Sequence, residues 1–513
     1  MPKRTFVYGA SILLGANLIN RILGFIYQYL IMTHIGGEAY GLFTMVFPIY
    51  MMALVLTTAG IPLAVSKMVS EEISLGHYHQ AKTIFHISLI ILIISGITVS
   101  IGLYTLAPRL IDRIFPDPRV LNVFRVCTPA IIVVSIASAF RGYFQGMQNM
   151  APTAVSQICE QIVRVFVGFS VAASFLAKGV EWAAVGLALG MFAGESVGLI
   201  VIVIQYFFTK KAIPAEGRLS MQPVQTLIKI WHLAIPVTLG RLLATGLSSL
   251  EAVLIPLRLQ AAGYSAGQAV TLFGQLGGSA FTLLTFPSVF TFALSTSLVP
   301  AIAEATAQQH YQVVRSRSFE AIRLTILLGI PCLIVLFYFA YPLTAFFKSS
   351  KIAPVLRILA IGGIFTYLQQ TTTGILQGLG KVQLPVINSI IAAFFRIPVM
   401  YILTGLPQWN IAGSAWSYVL GYVVMAVLNL AAIMHHTGLP LDLRHFIVQP
   451  ICAGFLMLIT FHLLSLFIIE NVFCFLAVLG IGFLVYASTL KINGALTMTD
   501  LRKLPWIGKF IPF

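Results

Sequence analysis

The chain is predicted to be an all-α integral membrane protein of about fourteen transmembrane helices, arranged as two pseudo-symmetric six-helix lobes followed by two C-terminal helices. Three observations predict this. Hydrophobic residues make up 58% of the 513 and charged residues only 9%, where a soluble domain carries about 25% charged. Fourteen apolar stretches reach the length of about 20 residues that a bilayer core requires. Finally, a set of motifs recurs at offsets of 220 to 238 residues.

The stretches lie near residues 6–32, 41–66, 83–107, 121–143, 153–177, 183–208, 226–256, 269–299, 319–345, 352–378, 384–404, 412–434, 447–469 and 472–490. The first follows Met1-Pro2-Lys3-Arg4, is far longer than a signal-peptide core and is not closed by a small-residue cleavage site, so it is expected to be retained. The seventh and eighth are overlong, and a tilt or a break near Pro256 and Pro287 is expected. Loops on the N-terminal side hold 17 Lys and Arg and the opposite loops 7, a bias that places both termini in the cytoplasm. The longest connections, such as 209–225, are too short to fold as domains. The expected organisation is a six-helix lobe over 1–208, a cytoplasmic linker over 209–225, a second lobe over 226–436, two additional helices over 437–490, and a basic, aromatic interfacial tail over 491–513.

The repeat pairs Arg21-Ile22-Leu23 with Arg241-Leu242-Leu243, and Pro48 and Pro62 with Pro287 and Pro300. It also pairs Gly142-Tyr143-Phe144-Gln145-Gly146 with Gly374-Ile375-Leu376-Gln377-Gly378, and Arg164 with Arg396. Six spans per half keep the copies in one orientation, which implies an axis along the membrane normal.

Net charge is +16, from 31 Lys plus Arg against 15 Asp plus Glu. In a membrane protein this points first to cytoplasmic loops facing an anionic leaflet, then to a basic substrate path. The cations are scattered over short loops, which argues against nucleic acid as a partner. The five cysteines lie in or beside apolar stretches without a Cys-x-x-Cys pair, so no disulfide framework and no metal site are expected. His77 with His79, and His435 with His436, lack a supporting acid cluster. No Gly-rich nucleotide loop is present, so no cofactor is expected.

Asn17, Arg21, Gly24 and Gln28 share one helical face in the first span. An arginine at mid-membrane costs roughly 2.5–3.5 kcal/mol. The stripe is therefore expected to line a wet or anionic cavity, the alternative being that Arg21 reaches an interface or a neighbouring carbonyl. Thr238, Arg241, Thr245 and Ser248 repeat the pattern in the seventh span. Arg125, Arg141 and Arg357 lie near helix ends and are expected to reach an interface. Arg21, Arg164, Arg241 and Arg396 are deeper, and four such cations facing one interior are unstable alone. A diphosphate would relieve them, since guanidinium groups bind phosphate through paired hydrogen bonds.

Three acids are placed comparably. Glu160 precedes Arg164 by four residues, either as a local ion pair or as a proton- or ion-sensitive pair that releases the arginine. Glu195, between Gly194 and Gly198, is expected at a tight helix contact. Glu251 lies about 80° round the helix from Arg241, beside the same face.

At Asn20-Arg21-Ile22-Leu23-Gly24-Phe25 and Gly36-Gly37-Glu38-Ala39-Tyr40-Gly41-Leu42-Phe43 the chain resembles the polysaccharide-transport branch of the MOP exporter superfamily, related to the lipid II flippases. Gly142-Tyr143-Phe144-Gln145-Gly146-Met147 and Gly374-Ile375-Leu376-Gln377-Gly378-Leu379 are similar to the family's ends of helices four and ten, and the resemblance covers essentially the whole chain. It implies two lobes in a V around a cationic cavity, and two further helices that shape a groove for a polyprenyl tail. It also implies alternating access that moves a lipid-linked sugar between leaflets. Arg21 matches the arginine of the flippases' Ser-Arg-Val-Leu-Gly-Phe motif, whereas their following arginine and acid are Tyr27 and Gln28 here.

The leading expectation is a non-enzymatic flippase for undecaprenyl-diphosphate-linked sugars, with the lipid II precursor of the spore cortex as cargo. Arg21, Arg164, Arg241 and Arg396 would neutralise the diphosphate, Asn17, Gln28, Thr245 and Ser248 would line the cavity, and Glu160, Glu195 and Glu251 would be the candidates for ion or proton coupling. Its place would be the bacterial cytoplasmic membrane or, in a sporulating cell, the outer forespore membrane. Its partners would be the lipid-linked glycan, membrane lipids and cell-wall synthesis enzymes. A multidrug antiporter of the same superfamily would want an acid-dominated cavity, and a membrane scaffold would not need repeated intramembrane arginines. A membrane enzyme is disfavoured by the small loops.

Overall fold

Hydrocarbon offers backbone N–H and C=O groups no partner, so a chain this apolar satisfies them within its own helices. The structure, a computed structural model, describes residues 4–210, 223–440, 442, 444–465 and 472–495, and these contain helices and no strands. Most of the expected linker and tail lies outside the described residues.

Packing divides the chain into two units. The first comprises Met1–Ser279 with Phe347–Ser349 and Thr404–Ile411. It holds α1 (Arg4–Leu30), α2 (Gly37–Thr58), α3 (Ile61–Ser74), α4 (Tyr78–Ile114), α5 (Val120–Gly146), α6 (Ala151–Phe175), α7 (Val180–Lys210), α8 (Pro223–Ala261) and α9 (Ala266–Gln275). The second comprises Ala280–Phe346, Ser350–Leu403 and Ala412–Phe513. Its helices are α10 (Thr282–Thr285), α11 (Ser288–Ala307), α12 (Tyr311–Tyr338), α13 (Ala340–Phe346), α14 (Ala353–Gly378), α15 (Gln383–Thr404), α16 (Asn410–Thr437), α17 (Gln449–Ser465) and α18 (Val472–Ile492).

In their described residues the fourteen apolar stretches are mostly helical, and among the described residues twelve helices are long and apolar enough to cross a membrane. The eighth stretch breaks as expected, α10 ending at Thr285 and α11 starting at Ser288 after Pro287. The seventh does not break: α8 runs through Pro256 to Ala261. A break that the apolar pattern hides interrupts the second stretch. Ala59 and Gly60 both take left-handed backbone (φ 43° and 66°) between α2 and α3, and for alanine that conformation is strained by about 1–3 kcal/mol.

In the first unit α2, α4, α5 and α7 enclose a core that includes Met45, Phe124, Ile131 and Leu187. α3 closes one end over an aromatic cluster in which Phe85 lies 4.8 Å from Tyr143 and 5.1 Å from Tyr206. In the second unit α14 packs between α11 and α12, and α17 joins α12 to α18.

Both units close the same way, so the repeat is visible in the packing. A Cβ at Gly142 of α5 would lie 2.6 Å from the Pro62 carbonyl of α3, and one at Gly146 would lie 2.8 Å from that of Ser66. In the second unit a Cβ at Gly374 of α14 would meet Ser295 of α11, and one at Gly378 would lie 3.0 Å from the Val299 carbonyl. Ser295 thus holds the place of Pro62, which corrects the sequence pairing of Pro62 with Pro300. α8 and α9, which the repeat assigns to the second half, pack against α2 and α3 in the first unit.

Gly142→Ala should cost about 1–3 kcal/mol, because its methyl meets backbone that cannot give way. Gly102→Ala, which meets nothing within 4 Å, should leave stability unchanged or raise it by up to about 1 kcal/mol. Thermal unfolding of the purified protein in detergent distinguishes the two.

Candidate functional site

α7 carries Gly186, Gly190, Gly194 and Gly198 at a spacing of four, and this stripe lets it lie directly on α6. Methyl groups there would overlap or crowd α6: at Gly190 with Gly168, at Gly186 with Ala172 Cα (2.5 Å), and at Gly194 with the Glu160 carbonyl (2.8 Å). The close approach brings Glu195 within reach of α6.

Arg164 Nη2 donates to Glu160 Oε1 (2.6 Å) and to Glu195 Oε1 (2.7 Å), and Arg141 Nη2 of α5 donates to Glu160 Oε2 (2.8 Å). All four side chains are largely buried, from Glu195 at 11% exposed to Arg164 at 24%. Two cations meet two carboxylates, so the cluster is neutral and ties α5, α6 and α7 together. Ser156 Oγ adds a hydrogen bond from α6 to the Gly198 carbonyl of α7 (2.9 Å).

This arrangement corrects two expectations. Arg164 is not a free cation awaiting a diphosphate, because its guanidinium is held by two acids. Arg141 does not reach for an interface, because Glu160 draws it inward. Glu160 and Arg164 do pair along the helix as the spacing suggested, and Glu195 gains the partner that the sequence could not name.

In the second unit Arg396 of α15 lies over the Tyr418 ring of α16, 5.2 Å from its centroid. Gly421 of α16 makes room, since a Cβ there would lie 2.8 Å from Arg396 Cδ. The pair Gly421–Arg396 thus repeats Gly194–Arg164. α14, α15 and α16 contain no Asp or Glu. Amide and hydroxyl groups link all three: Asn388 Nδ2 donates to Asn429 Oδ1 (2.8 Å), and Asn429 Nδ2 donates to Thr372 Oγ1 (3.2 Å).

The other predicted residues are placed separately. Arg21 is half-buried on α1, Arg241 and Ser248 are exposed on α8, and Glu251 is buried on α8. Asn17 is exposed on α1, whereas Gln28 is buried and so departs from an open polar stripe. The α8 hydroxyls bond back into their own helix: Thr245 Oγ1 donates to the Arg241 carbonyl (2.9 Å) and Ser248 Oγ to that of Ala244 (3.3 Å). Arg125 lies 5.8 Å from the Tyr104 ring centroid, and Arg357 is exposed.

The second unit also holds a cavity of about 630 Å³ between α12, α14 and α17, lined by residues such as Ile326, Leu333, Ile364, Leu368, Ile451 and Phe455.

Comparison with known proteins accounts for this architecture. Residues 6–306 match the family described as polysaccharide biosynthesis protein, and residues 276–402 match the MatE family. The chain belongs to the polysaccharide biosynthesis protein family. It is 32% identical to stage V sporulation protein B of Bacillus subtilis (strain 168) over 521 residues, covering 100% of both chains. It is 26% identical to the lipid II flippase MurJ of the same organism, covering 84% of this chain and 82% of that one. Among solved structures, an inward-facing multidrug resistance MATE family transporter of the MOP superfamily shares the fold, with a TM-score of 0.65 at 15% identity over 82% of this chain and 94% of the other. A MOP superfamily transporter from Pyrococcus furiosus does so with a TM-score of 0.57 at 17% identity, over 85% and 94%. The family member described here is therefore a multi-pass membrane protein that shares the fold of these MOP superfamily transporters.

Removing Arg164 alone should destabilise the protein by about 3–5 kcal/mol, since it strands buried carboxylates. Arg164→Gln combined with Glu195→Gln should recover part of that loss. A double-mutant cycle read by thermal unfolding should give a coupling of at least about 1 kcal/mol; strict additivity would show that the two groups do not interact.

Proposed function

We propose that this protein is a flippase for undecaprenyl-diphosphate-linked sugars, with the lipid II precursor of the spore cortex as its cargo. The apolar cavity carries the reading. Its lining side chains are hydrocarbon, so it suits a long prenyl chain and offers nothing to a polar drug. α17, one of the two helices beyond the repeat, forms one wall. The head group needs the opposite chemistry, and Arg21, Arg241 and Arg396 are assigned to it. Arg164 is left out because its carboxylates already hold it, and those two acids make the cluster the place where a proton could act on the cycle. The acid-free α14, α15 and α16 favour an anionic cargo over the cationic one of a multidrug antiporter. The similarity to stage V sporulation protein B and to MurJ supports a peptidoglycan precursor and a sporulation role, with cell-wall synthesis enzymes as partners.

The loop charges orient the protein with both termini in the cytoplasm of the bacterial cell, in the cytoplasmic or outer forespore membrane. In a chain freed of native cysteines, a membrane-impermeant maleimide applied to intact cells should reach the exposed Asp112→Cys and miss the exposed Gln308→Cys. The reverse pattern would invert the topology.

Arg21→Ala with Arg241→Ala, and Arg396→Ala alone, should each lower precursor export at least tenfold at matched membrane abundance. Lysine at these positions should restore it only in part, keeping charge without the planar fork. The assay is leaflet accessibility of the lipid-linked precursor in cells that depend on this protein for export. Full activity of the double alanine variant would sink the cationic mechanism and favour a scaffold. Ile364→Trp, which fills the cavity, should slow export while leaving the arginines in place.

A further inference from the structure

α4 and α5 run antiparallel, and close contacts set their register. A Cβ at Gly96 of α4 would lie 3.3 Å from Ser135 Cβ of α5, and Ser100 Oγ donates to the Thr128 carbonyl (2.9 Å). One turn further along, Arg125 of α5 comes level with Tyr104 of α4, its guanidinium 5.8 Å from the ring centroid. Pro129 has no N–H to give the Arg125 carbonyl, and Thr128 Oγ1 donates to it instead (2.9 Å). Tyr104 lies just inside the apolar stretch that ends near residue 107, and on the proposed topology this end faces out of the cell. That is the depth at which tyrosines meet lipid head groups.

Arg125 differs from Arg141 and Arg164 in its company. Among the described residues it makes no ion pair, and its Nε is buried without a hydrogen-bond partner. Glu181 of α7 accepts from Asn122 instead (2.7 Å). Asp112, the one acid of α4, lies about 12 Å further out along the helix, between the exposed Arg109 and Arg113. An arginine at this depth calls for an anion, and a phosphate suits its paired donors.

The repeat shows what lies below it. α4 and α12 correspond at an offset of 233, from N-cap His77 to N-cap His310, and α5 and α14 at 232, from Gly142 to Gly374. On that count Ile97, Ile101 and Tyr104 take the places of Ile330, Ile334 and Phe337, Pro129 takes that of Ile361, and Arg125 that of Arg357. The four apolar residues of the second unit line the cavity that α17 walls. In the first unit the same groove is uncovered: Ile97, Ile101 and Tyr104 are 41%, 57% and 50% exposed, and Pro129 is exposed.

From this geometry we infer that the α4–α5 groove binds a phospholipid of the outer leaflet. Its phosphate sits between the Arg125 guanidinium and the Tyr104 hydroxyl, and its acyl chains run inward past Ile101, Ile97 and Pro129. Charge at the outer end and hydrocarbon toward the midplane is the order of a lipid, whereas free phosphate would use only the first. The inference does not depend on the identity of the cargo.

Native mass spectrometry of the delipidated protein in detergent, titrated with phosphatidylglycerol, tests it. The parent carries Ile364→Trp, so that a lipid in the second-unit cavity is not counted. Arg125→Gln should lower the affinity for the first lipid bound at least tenfold, and Arg125→Lys should recover part of it. Arg113→Gln, on the exposed end of α4, should stay within twofold of the parent. Unchanged affinity in Arg125→Gln would overturn the site, and so would an equal loss in Arg113→Gln, which would mark diffuse attraction to surface charge. Should Arg125→Gln fail to insert, Tyr104→Leu should lower affinity at least threefold, and no change would again overturn the site. Competition separates the sources of phosphate. Inorganic phosphate in hundredfold excess should leave the lipid bound; displacement would show a site for phosphate alone. Displacement by undecaprenyl phosphate at equal concentration would give the groove to a polyprenyl lipid and overturn the assignment.

Discussion

A charge cannot be left alone in hydrocarbon, and the first unit is built around one answer to that constraint. Arg141, Glu160, Arg164 and Glu195 neutralise one another across three helices. Breaking any one pair leaves a buried charge unmet, so the groups stand or fall together. Their distances depend on α7 lying against α6 without intervening side chains, and the glycine stripe from Gly186 to Gly198 provides that approach. Charge and glycine are thus one device: the stripe is useful because it delivers Glu195, and the ion pairs hold the helices that the stripe allows to touch.

The second unit keeps the scaffold and changes the chemistry. Counting from the Gly142–Gly374 match, Thr373 and Ala392 occupy the places of Arg141 and Glu160, and counting from Gly194–Gly421, Tyr422 occupies that of Glu195. Arg396 remains, stacked on Tyr418, a cation–π contact of about 0.5–2 kcal/mol. A carboxylate holds a guanidinium by charge, whereas an aromatic face holds it through the ring quadrupole. Two copies of one fold therefore surround their arginines differently, the first with two carboxylates and the second with an aromatic face.

Much of this was legible in the sequence. Hydrophobic length gave the helices, Pro287 gave the break before α11, and the Gly142 and Gly374 motifs marked helix ends that pack alike in both units. The spacing of Glu160 and Arg164 announced a pair because both lie on one helix. Arg141 and Glu195 were unreadable for the opposite reason: they come from separate helices and meet only through α6–α7 packing, which no local pattern encodes. The break at Ala59–Gly60 was hidden because apolar residues continue through it. Gln28 looked like part of an open stripe because helical periodicity reports a face, not what covers that face.

The two glycine seams of the first unit differ in what crosses them. Across α6–α7 run the Arg164–Glu195 ion pair and the Ser156–Gly198 hydrogen bond, and separating those helices would expose unmet charge to hydrocarbon. At α2–α9 the close contacts are glycine on backbone carbonyl, and an ionic rim joins Arg119 to Glu38 and Asp117, all on the first-half side. Those ion pairs lie on one side of the α2–α9 contact and do not bridge it. Small residues let helices approach in either case; the polar bonds that cross them decide whether the contact lasts. On that ground the Arg164–Glu195 pair ties α6 to α7 more firmly than glycine packing alone would.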